Sequence, residues 1–223
     1  MPDRVGLVRR IWAGSERRKS RLHDELGNRV SSAALIRNGP RAISGGIGRK
    51  LFGYRPPRPW IAYSAQPVIG RLLTRQSAML EFGSGKSTRW YADRAGQVWS
   101  VELDPHWHAI VRRELSGCDN VELLLATSRE DYFDMVPDRA FDFIMIDGAW
   151  REDCAQFAVR HLAPGGAIYL DNSDMNPGDL TGNVPAARQI LLDFAQDKGL
   201  RVRIFTDFAP TQFHVQQGML VGG

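Results

Sequence analysis

The sequence predicts an α/β fold built on a seven-stranded, mostly parallel sheet that ends in an antiparallel hairpin. From residue 61 onward, short apolar runs alternate with segments of helical pattern. This order is typical of parallel strands whose connecting helices cover both faces of a sheet. The last two apolar runs have no helix between them, so we expect them to pair with each other as a hairpin.

Each predicted strand is a short run rich in Val, Ile, Leu and Phe, and the predicted helices lie between these runs. The strands are expected at residues 78–82, 97–103, 121–126, 141–147, 165–171, 201–206 and 213–221. The helices are expected at residues 61–73, 87–94, 104–115, 152–162 and 185–196. Asp104 and Pro105 suit the N-cap and the first turn of the third helix.

The first 60 residues differ from the rest of the chain in charge. They hold 14 Lys or Arg and 4 Asp or Glu, a balance of +10, whereas residues 61–223 have a balance of −6. Weak helical patterns at residues 4–11 and 17–37 precede a Gly- and Pro-rich break, "RNGPRAISGGIGRK". The stretch "YRPPRPW" is typical of a stiff connector. We therefore expect a basic helical appendage or lid and a linker over residues 1–60, and a separate domain over 61–223.

Composition limits the compartments and partners. No apolar run approaches the ~20 residues of a transmembrane helix, and the N-terminus lacks the apolar core of a secretory signal. Cys118 and Cys154 are isolated, which predicts neither a zinc site nor a disulfide framework. A cytoplasmic protein is expected, without nucleic acid as a partner. Residues 1–50 are expected either to contact an anionic membrane surface or to form a solvated lid.

The stretch "GSGKST" raises the question of a phosphate-binding loop. In the pattern G-x-x-x-x-G-K-[ST], the leading glycine would fall at position 80, which is Leu80 and part of a predicted strand. The long loop that wraps a triphosphate is therefore missing, and a short turn remains. We expect Lys86 to be an ordinary residue on the surface of a helix.

The ends of the predicted strands carry polar and acidic groups. Ligands of open α/β sheets bind at the carboxyl ends of the strands, near the point where the strand order reverses. Gly83 and Gly85 permit a close approach of the backbone to a ligand. Glu102 follows Gly83 by 19 residues and ends the next strand, where a carboxylate can accept hydrogen bonds from both hydroxyls of a ribose. Together these residues predict a site for an adenosine-bearing ligand.

In this order, "LEFGSGKST", "SVELD", "FDFIMIDG" and "LAPGGAIYLDN" resemble the motifs of class I S-adenosylmethionine-dependent methyltransferases, which have a Rossmann-like fold. The resemblance covers about residues 61–223. It implies S-adenosylmethionine as the cofactor and places Asp147 near the methyl group. It also implies that Glu81, Gly83, Ser84 and Gly85 border the methionine part of the cofactor. By the same resemblance, Glu102 holds the ribose and Ser128 lies near the adenine.

A narrower resemblance, to catechol- and caffeoyl-type O-methyltransferases, implies a magnesium site made by Asp147, Asp171 and Asn172. Those enzymes have a lysine shortly after the first aspartate, whereas this chain has "DGAWRED". The series is also similar to bacterial methyltransferases that accompany polysaccharide or secondary-metabolite genes. A metal-free site is therefore favoured, and the alternative for Asp171 and Asn172 is a turn-forming pair.

The resemblance implies methyl transfer to an oxygen or nitrogen of a small molecule or a glycan. Asp147 is the first candidate for a general base, followed by Asp171 and His214. Two alternatives stay open at this point. One is a different chemistry on the same fold, such as that of an aminopropyl transferase or a nicotinamide-dependent oxidoreductase. The other is a binding protein that uses the basic arm for targeting.

Overall fold

A computed structural model describes residues 13–176 and 182–223. Its strands are β1 (Ala78–Phe82), β2 (Gln97–Glu102), β3 (Val121–Leu125), β4 (Phe141–Ile146), β5 (Leu162–Leu170), β6 (Val202–Ala209) and β7 (Gln212–Gly222). Its helices, numbered here in chain order, are α1 (Ser32–Phe52), α2 (Gln66–Leu72), α3 (Lys86–Ala92), α4 (Pro105–Glu114), α5 (Arg129–Asp134), α6 (Arg151–His161) and α7 (Val184–Lys198).

The seven strands form one sheet in the order β3-β2-β1-β4-β5-β7-β6. β1 to β5 pair in parallel, and β7 runs antiparallel to both β5 and β6. The predicted fold class is therefore confirmed. The strand order reverses between β1 and β4, and the ends of these strands lie side by side because Phe82 pairs with Ile146. This is where a ligand site is expected in such a sheet.

The sheet is covered on both faces, and each face has its own apolar core. On one face α6 and α7 pack their buried side chains, among them Phe157 and Leu191, against strand residues such as Ile144. On the other face α2 and α3 contribute Ile69 and Tyr91 to a second core. Burial of both faces explains why β1 is an unbroken buried run rather than an alternating one.

The predicted helix at residues 17–37 is wrong, and so is the predicted break after it. Turns and isolated bridges occupy most of residues 13–30, and α1 runs from Ser32 to Phe52 through Pro40 and four glycines. The glycines serve packing instead of turning the chain: a Cβ at Gly45 would lie 3.2 Å from the backbone nitrogen of Thr211. Tertiary contact thus overrides low helix propensity. The predicted helix at residues 4–11 lies outside the described residues.

Residues 13–60 pack onto the hairpin of β6 and β7 through buried polar groups. Asn38 donates to Asp207 Oδ2 at 2.8 Å, and the side chain of Gln217 donates to Asp24 Oδ2 at 2.8 Å. Asp24 and Asp207 are fully buried. The boundary at residue 60 stays a prediction, since these contacts describe how the segment is attached and not whether either part folds alone. Within the described residues, no helix is both long and apolar enough to cross a membrane.

Candidate functional site

A cavity of about 130 Å³ opens at the point where the strand order reverses. Its wall combines the turn after β1, the end of β4, the start of α4 and the connector that precedes α2. The lining residues are Arg55, Arg58, Trp60, Gly83, Ser84, Gly85, Lys86, Ser87, Trp107 and Asp147. Five of the predicted site positions therefore border or adjoin one cavity: Gly83, Ser84, Gly85, Asp147 and, through Ser84, Glu102.

The two glycines of the turn have different physical roles. Gly83 has φ +94°, and a Cβ on it would lie 2.8 Å from the Cα and the nitrogen of Gly148. The turns after β1 and β4 thus touch backbone to backbone. At Gly85 a Cβ would meet only Ser87, at 3.5 Å and beyond, so this residue leaves open space beside the cavity. Gly83 is required by the fold, whereas a side chain at Gly85 would meet no backbone of another element.

Glu81 holds the turn from below instead of facing the cavity. It is buried, and its carboxylate accepts hydrogen bonds from Ser87 Oγ at 2.8 Å, Thr88 Oγ1 at 2.6 Å and Ser100 Oγ at 2.7 Å. Burial raises the pKa of Glu81 to about 7, although the three hydroxyl donors act in the opposite direction. The structure therefore gives Glu81 a role in positioning the turn, and the prediction that it borders the ligand is not supported by its surroundings.

Glu102 sits at the end of β2, as the sequence predicts, and it ties together the groups around it. Its Oε1 accepts hydrogen bonds from the backbone of Leu103 at 2.8 Å and of Asp104 at 3.0 Å. Its Oε2 accepts from Ser84 Oγ at 2.8 Å. Trp107 Nε1 donates to the backbone oxygen of Ser84 at 2.9 Å. The carboxylate is therefore fixed in place before any ligand arrives, which suits a residue that holds ribose hydroxyls.

Asp147 ends β4 and is the one carboxylate among the residues that line this cavity. Its side chain is 41% exposed, and Arg151 Nη2 donates to its Oδ1 at 3.0 Å. Desolvation by the surrounding protein raises the pKa of Asp147, and the nearby guanidinium of Arg151 counteracts that rise. The carboxylate of Asp147 therefore faces the cavity, and the guanidinium of Arg151 fixes it by binding Oδ1.

Arg151 is a buried guanidinium that joins the ends of β4 and β5. It donates to the backbone oxygens of Gly148 and Asp147, both at 3.1 Å, and to the backbone oxygen of Asp171. Only 2% of the residue is exposed. Two neighbouring carboxylates, here those of Asp147 and Asp171, repel each other unless a cation lies near them. In this protein the guanidinium of Arg151 supplies that positive charge.

Asp171 is placed beside Asp147 on the adjacent strand, but it is buried and does not line the cavity. Burial raises the pKa of Asp171 well above its usual range, and the negative charge of Asp147 adds to this effect. Its nearest side-chain donor is Gln216 Nε2, at 3.4 Å. Asn172 has φ +47° in the turn that follows, in agreement with the turn-forming alternative.

These residues do not fit a divalent cation. Arg151 already occupies the Oδ1 side of Asp147, and a metal would have to share that space with a guanidinium. Asp171 is buried and does not line the cavity that Asp147 faces.

Two further predicted residues lie elsewhere. Ser128 caps α5, a helix that the sequence analysis missed, and its Oγ accepts from the backbone of Asp131 at 3.0 Å; its hydroxyl is thus used within the turn after β3. His214 lines a different cavity, together with Arg18 and Arg21. Burial lowers the pKa of His214 to about 4, and both arginines add to this effect. The structure does not bring His214 to Asp147.

Three cavity residues from the connector were missed: Arg55, Arg58 and Trp60. The stretch "YRPPRPW" predicts a stiff linker at the edge of the expected lid, and nothing in it indicates which residues it packs against. The guanidinium carbons of Arg49 and Arg55 lie 5.0 Å and 5.7 Å from the centre of the Trp60 ring. Trp60 Nε1 is buried and has no hydrogen-bond partner among the described residues. An unpaired donor in a cavity wall is a group that a ligand can satisfy.

Comparison with known proteins identifies the domain around this cavity. A family model described as a methyltransferase domain matches residues 80–173. Residues 80–173 carry a methyltransferase domain. The match runs from β1 to the turn after β5 and so contains both strand ends that meet at Arg151. The resemblance to class I S-adenosylmethionine-dependent methyltransferases, drawn from the sequence motifs, is confirmed. No curated protein matches the sequence.

Solved structures share the fold of this chain over most of its length. A proposed O-methyltransferase of Klebsiella pneumoniae is 22% identical, with 86% of this chain and 90% of that chain covered and a TM-score of 0.58. An O-methyltransferase of Bacillus cereus in complex with SAH is 17% identical, with 87% and 92% covered and a TM-score of 0.57. TomG of Streptomyces achromogenes, an O-methyltransferase of tomaymycin synthesis in complex with SAM, is 17% identical, with 86% and 96% covered and a TM-score of 0.56.

Proposed function

We propose that this methyltransferase transfers the methyl group of S-adenosylmethionine to a hydroxyl oxygen of a small molecule or a glycan. The observation that carries the proposal is the Asp147 carboxylate, which faces the same cavity as the turn at residues 83–87. S-adenosylmethionine supplies an electrophilic methyl group, so the protein's task is to position the acceptor and exclude water. The O-methyltransferases of similar fold support oxygen as the acceptor atom.

The cofactor is held, in this proposal, by groups already in place. Glu102 takes the ribose hydroxyls, because it is fixed at the end of β2 by two backbone donors. Gly85 leaves room beside the turn. The unpaired Trp60 Nε1 donates to an acceptor atom of the bound molecules.

Asp147 serves as the general base. A hydroxyl acceptor gives up its proton as the methyl group arrives, and a carboxylate within hydrogen-bond reach can take it. Arg151 keeps this carboxylate oriented through Oδ1 and leaves Oδ2 without a partner among the described residues. Asp171 is less suited to the role, because burial favours its protonated form.

The acceptor enters, we propose, from the side formed by residues 55–60. Arg55 and Arg58 line that side of the cavity, so an acceptor with a carboxylate, phosphate or sulfate near its hydroxyl is favoured over a neutral one. Such groups occur on acidic sugars and on many small metabolites.

The proposal is tested by measuring S-adenosylhomocysteine formation with a panel of hydroxyl acceptors, each supplied with and without an acidic group. Turnover is expected with acidic hydroxyl compounds. Asp147→Asn is expected to lower kcat by at least about a hundredfold while cofactor affinity stays within a few-fold. Unchanged turnover in Asp147→Asn, or methylation of amines only, contradicts the proposal.

A further inference from the structure

The outward face of α1 is an apolar stripe. Its members are spaced seven, four and four residues apart, which aligns them along one side of a helix. They are exposed, at 78% for Ile36, 40% for Ile43, 53% for Ile47 and 66% for Leu51. Phe52, at the end of the helix, is 82% exposed. The opposite side of α1, with Asn38 and Ala42, is buried against the hairpin. We call this stripe, Ile36 to Phe52, the outer stripe.

The outer stripe is not a by-product of a generally apolar surface. Only nine large hydrophobic residues of the described chain are substantially exposed; four of them form the aligned row, and Phe52 lies at its end. The 15 residue steps from Ile36 to Leu51 correspond to about 22 Å of helix. A contiguous apolar patch of this kind on a soluble domain marks a surface that another apolar body covers.

The charge around the outer stripe indicates what that body is. Residues 26–80 contain nine Lys or Arg and no Asp or Glu. Arg37 and Arg41 flank the stripe on one side, where they line a groove together with Arg58 and Arg94. Lys50 is exposed near the end of the helix. An apolar face with basic flanks fits an anionic lipid surface, which takes the apolar side chains and pairs with the cations.

A second copy of this chain fits the stripe less well. Docking two outer stripes against each other would bring two acid-free, basic segments within a Debye length of about 8 Å. Neither copy would bring a carboxylate from residues 26–80 to compensate. We propose that α1 binds peripherally to an anionic membrane surface, with the outer stripe in the headgroup region and the flanking arginines on lipid phosphates. This proposal is independent of the methyl acceptor.

Flotation of the full chain with lipid vesicles tests the proposal. One set of vesicles contains phosphatidylcholine alone, and the other contains phosphatidylcholine and phosphatidylglycerol. The wild type is expected to float with the anionic vesicles, to stay behind with the neutral ones, and to be released as salt is raised. The double variant Ile43→Glu, Ile47→Glu is expected to lower the partition coefficient at least about tenfold.

A matched control carries the same change of charge on other surfaces. Met135 and Ile204 are 40% and 44% exposed, so the double variant Met135→Glu, Ile204→Glu is expected to bind vesicles within about twofold of the wild type. Equal loss in the two double variants overturns the proposal, as does a wild type that fails to float. Sedimentation velocity tests whether the chain associates with itself. Self-association that Ile43→Glu, Ile47→Glu abolishes would assign the outer stripe to contact with a second copy and overturn the lipid proposal.

Discussion

The two glycines of the turn after β1 give opposite predictions for the same substitution. Gly83→Ala places a methyl group on a residue with φ +94° and 2.8 Å from the backbone of Gly148. The left-handed conformation costs about 1–2 kcal/mol, and the overlap with backbone, which cannot rotate away, adds about 1–3 kcal/mol. We expect Gly83→Ala to lose about 2–5 kcal/mol of unfolding free energy. In a domain of this size that is a drop of roughly 4–20 °C in Tm.

Gly85→Ala should leave stability unchanged to within about 1 kcal/mol, because its Cβ meets only Ser87 at ordinary distances. The added methyl group takes space beside the cavity, so affinity for S-adenosylhomocysteine should fall at least about tenfold.

Thermal unfolding with and without S-adenosylhomocysteine, together with calorimetry, measures both effects. Gly117→Ala is the control for backbone strain, since Gly117 has φ +81° and open space around its Cβ. It should lose only the conformational part, about 1–2 kcal/mol. If Gly83→Ala is no worse than Gly117→Ala, the backbone contact with Gly148 is not the constraint. Unchanged affinity in Gly85→Ala would show that this cavity is not the cofactor site.

The remaining predictions concern the carboxylates. Glu102→Ala should weaken S-adenosylhomocysteine binding by about 1.5–3 kcal/mol. Lys86 lines the cavity, but its ammonium pairs with Glu114, so Lys86→Ala should change this binding little; tight ATP binding that depends on Lys86 would contradict the site. The pKa of Glu81 is raised to about 7 in the folded chain. Between about pH 4.5 and 7 the folded state therefore binds more protons than the unfolded state. The ionisation of this carboxyl lowers the free energy of unfolding by up to about 3 kcal/mol as the pH rises through that range. Denaturant unfolding should therefore show that the stability of Glu81→Gln rises relative to the wild type between pH 5 and 8. A difference in unfolding free energy that does not change with pH would refute the raised pKa. Activity should survive a metal chelator, because Arg151 supplies the cation between the strand ends; loss of activity that magnesium restores would refute this role.

The sheet could be predicted from the sequence because its signals are local. Each strand is a separate apolar run, and the acidic residues that follow these runs indicated which edge carries the site. The helix α1 was missed because Pro40 and its glycines weaken a helix in isolation, and only contacts such as that of Gly45 with Thr211 explain them. Trp60 and Arg151 were not predicted as site residues because tertiary packing, and not a local pattern, brings them to the site. Their positions follow from packing between segments that are distant in sequence, and no periodicity or spacing contains that information.

The N-terminal segment connects the two proposals. α1 ends at Phe52, Gly53 caps it with φ +64°, and within a few residues the chain lines the cavity with Arg55, Arg58 and Trp60. A lipid surface bound by the outer stripe would therefore lie close, along the chain, to the side from which the acceptor is proposed to enter. That arrangement predicts a separation of effects. Ile43→Glu, Ile47→Glu should leave kcat and KM for a water-soluble acceptor unchanged, because neither side chain lines the cavity, and should lower the rate only when the acceptor is presented on anionic vesicles. Equal loss of activity toward both presentations would mean that the stripe supports the cavity structurally and that its role in membrane binding has been misassigned.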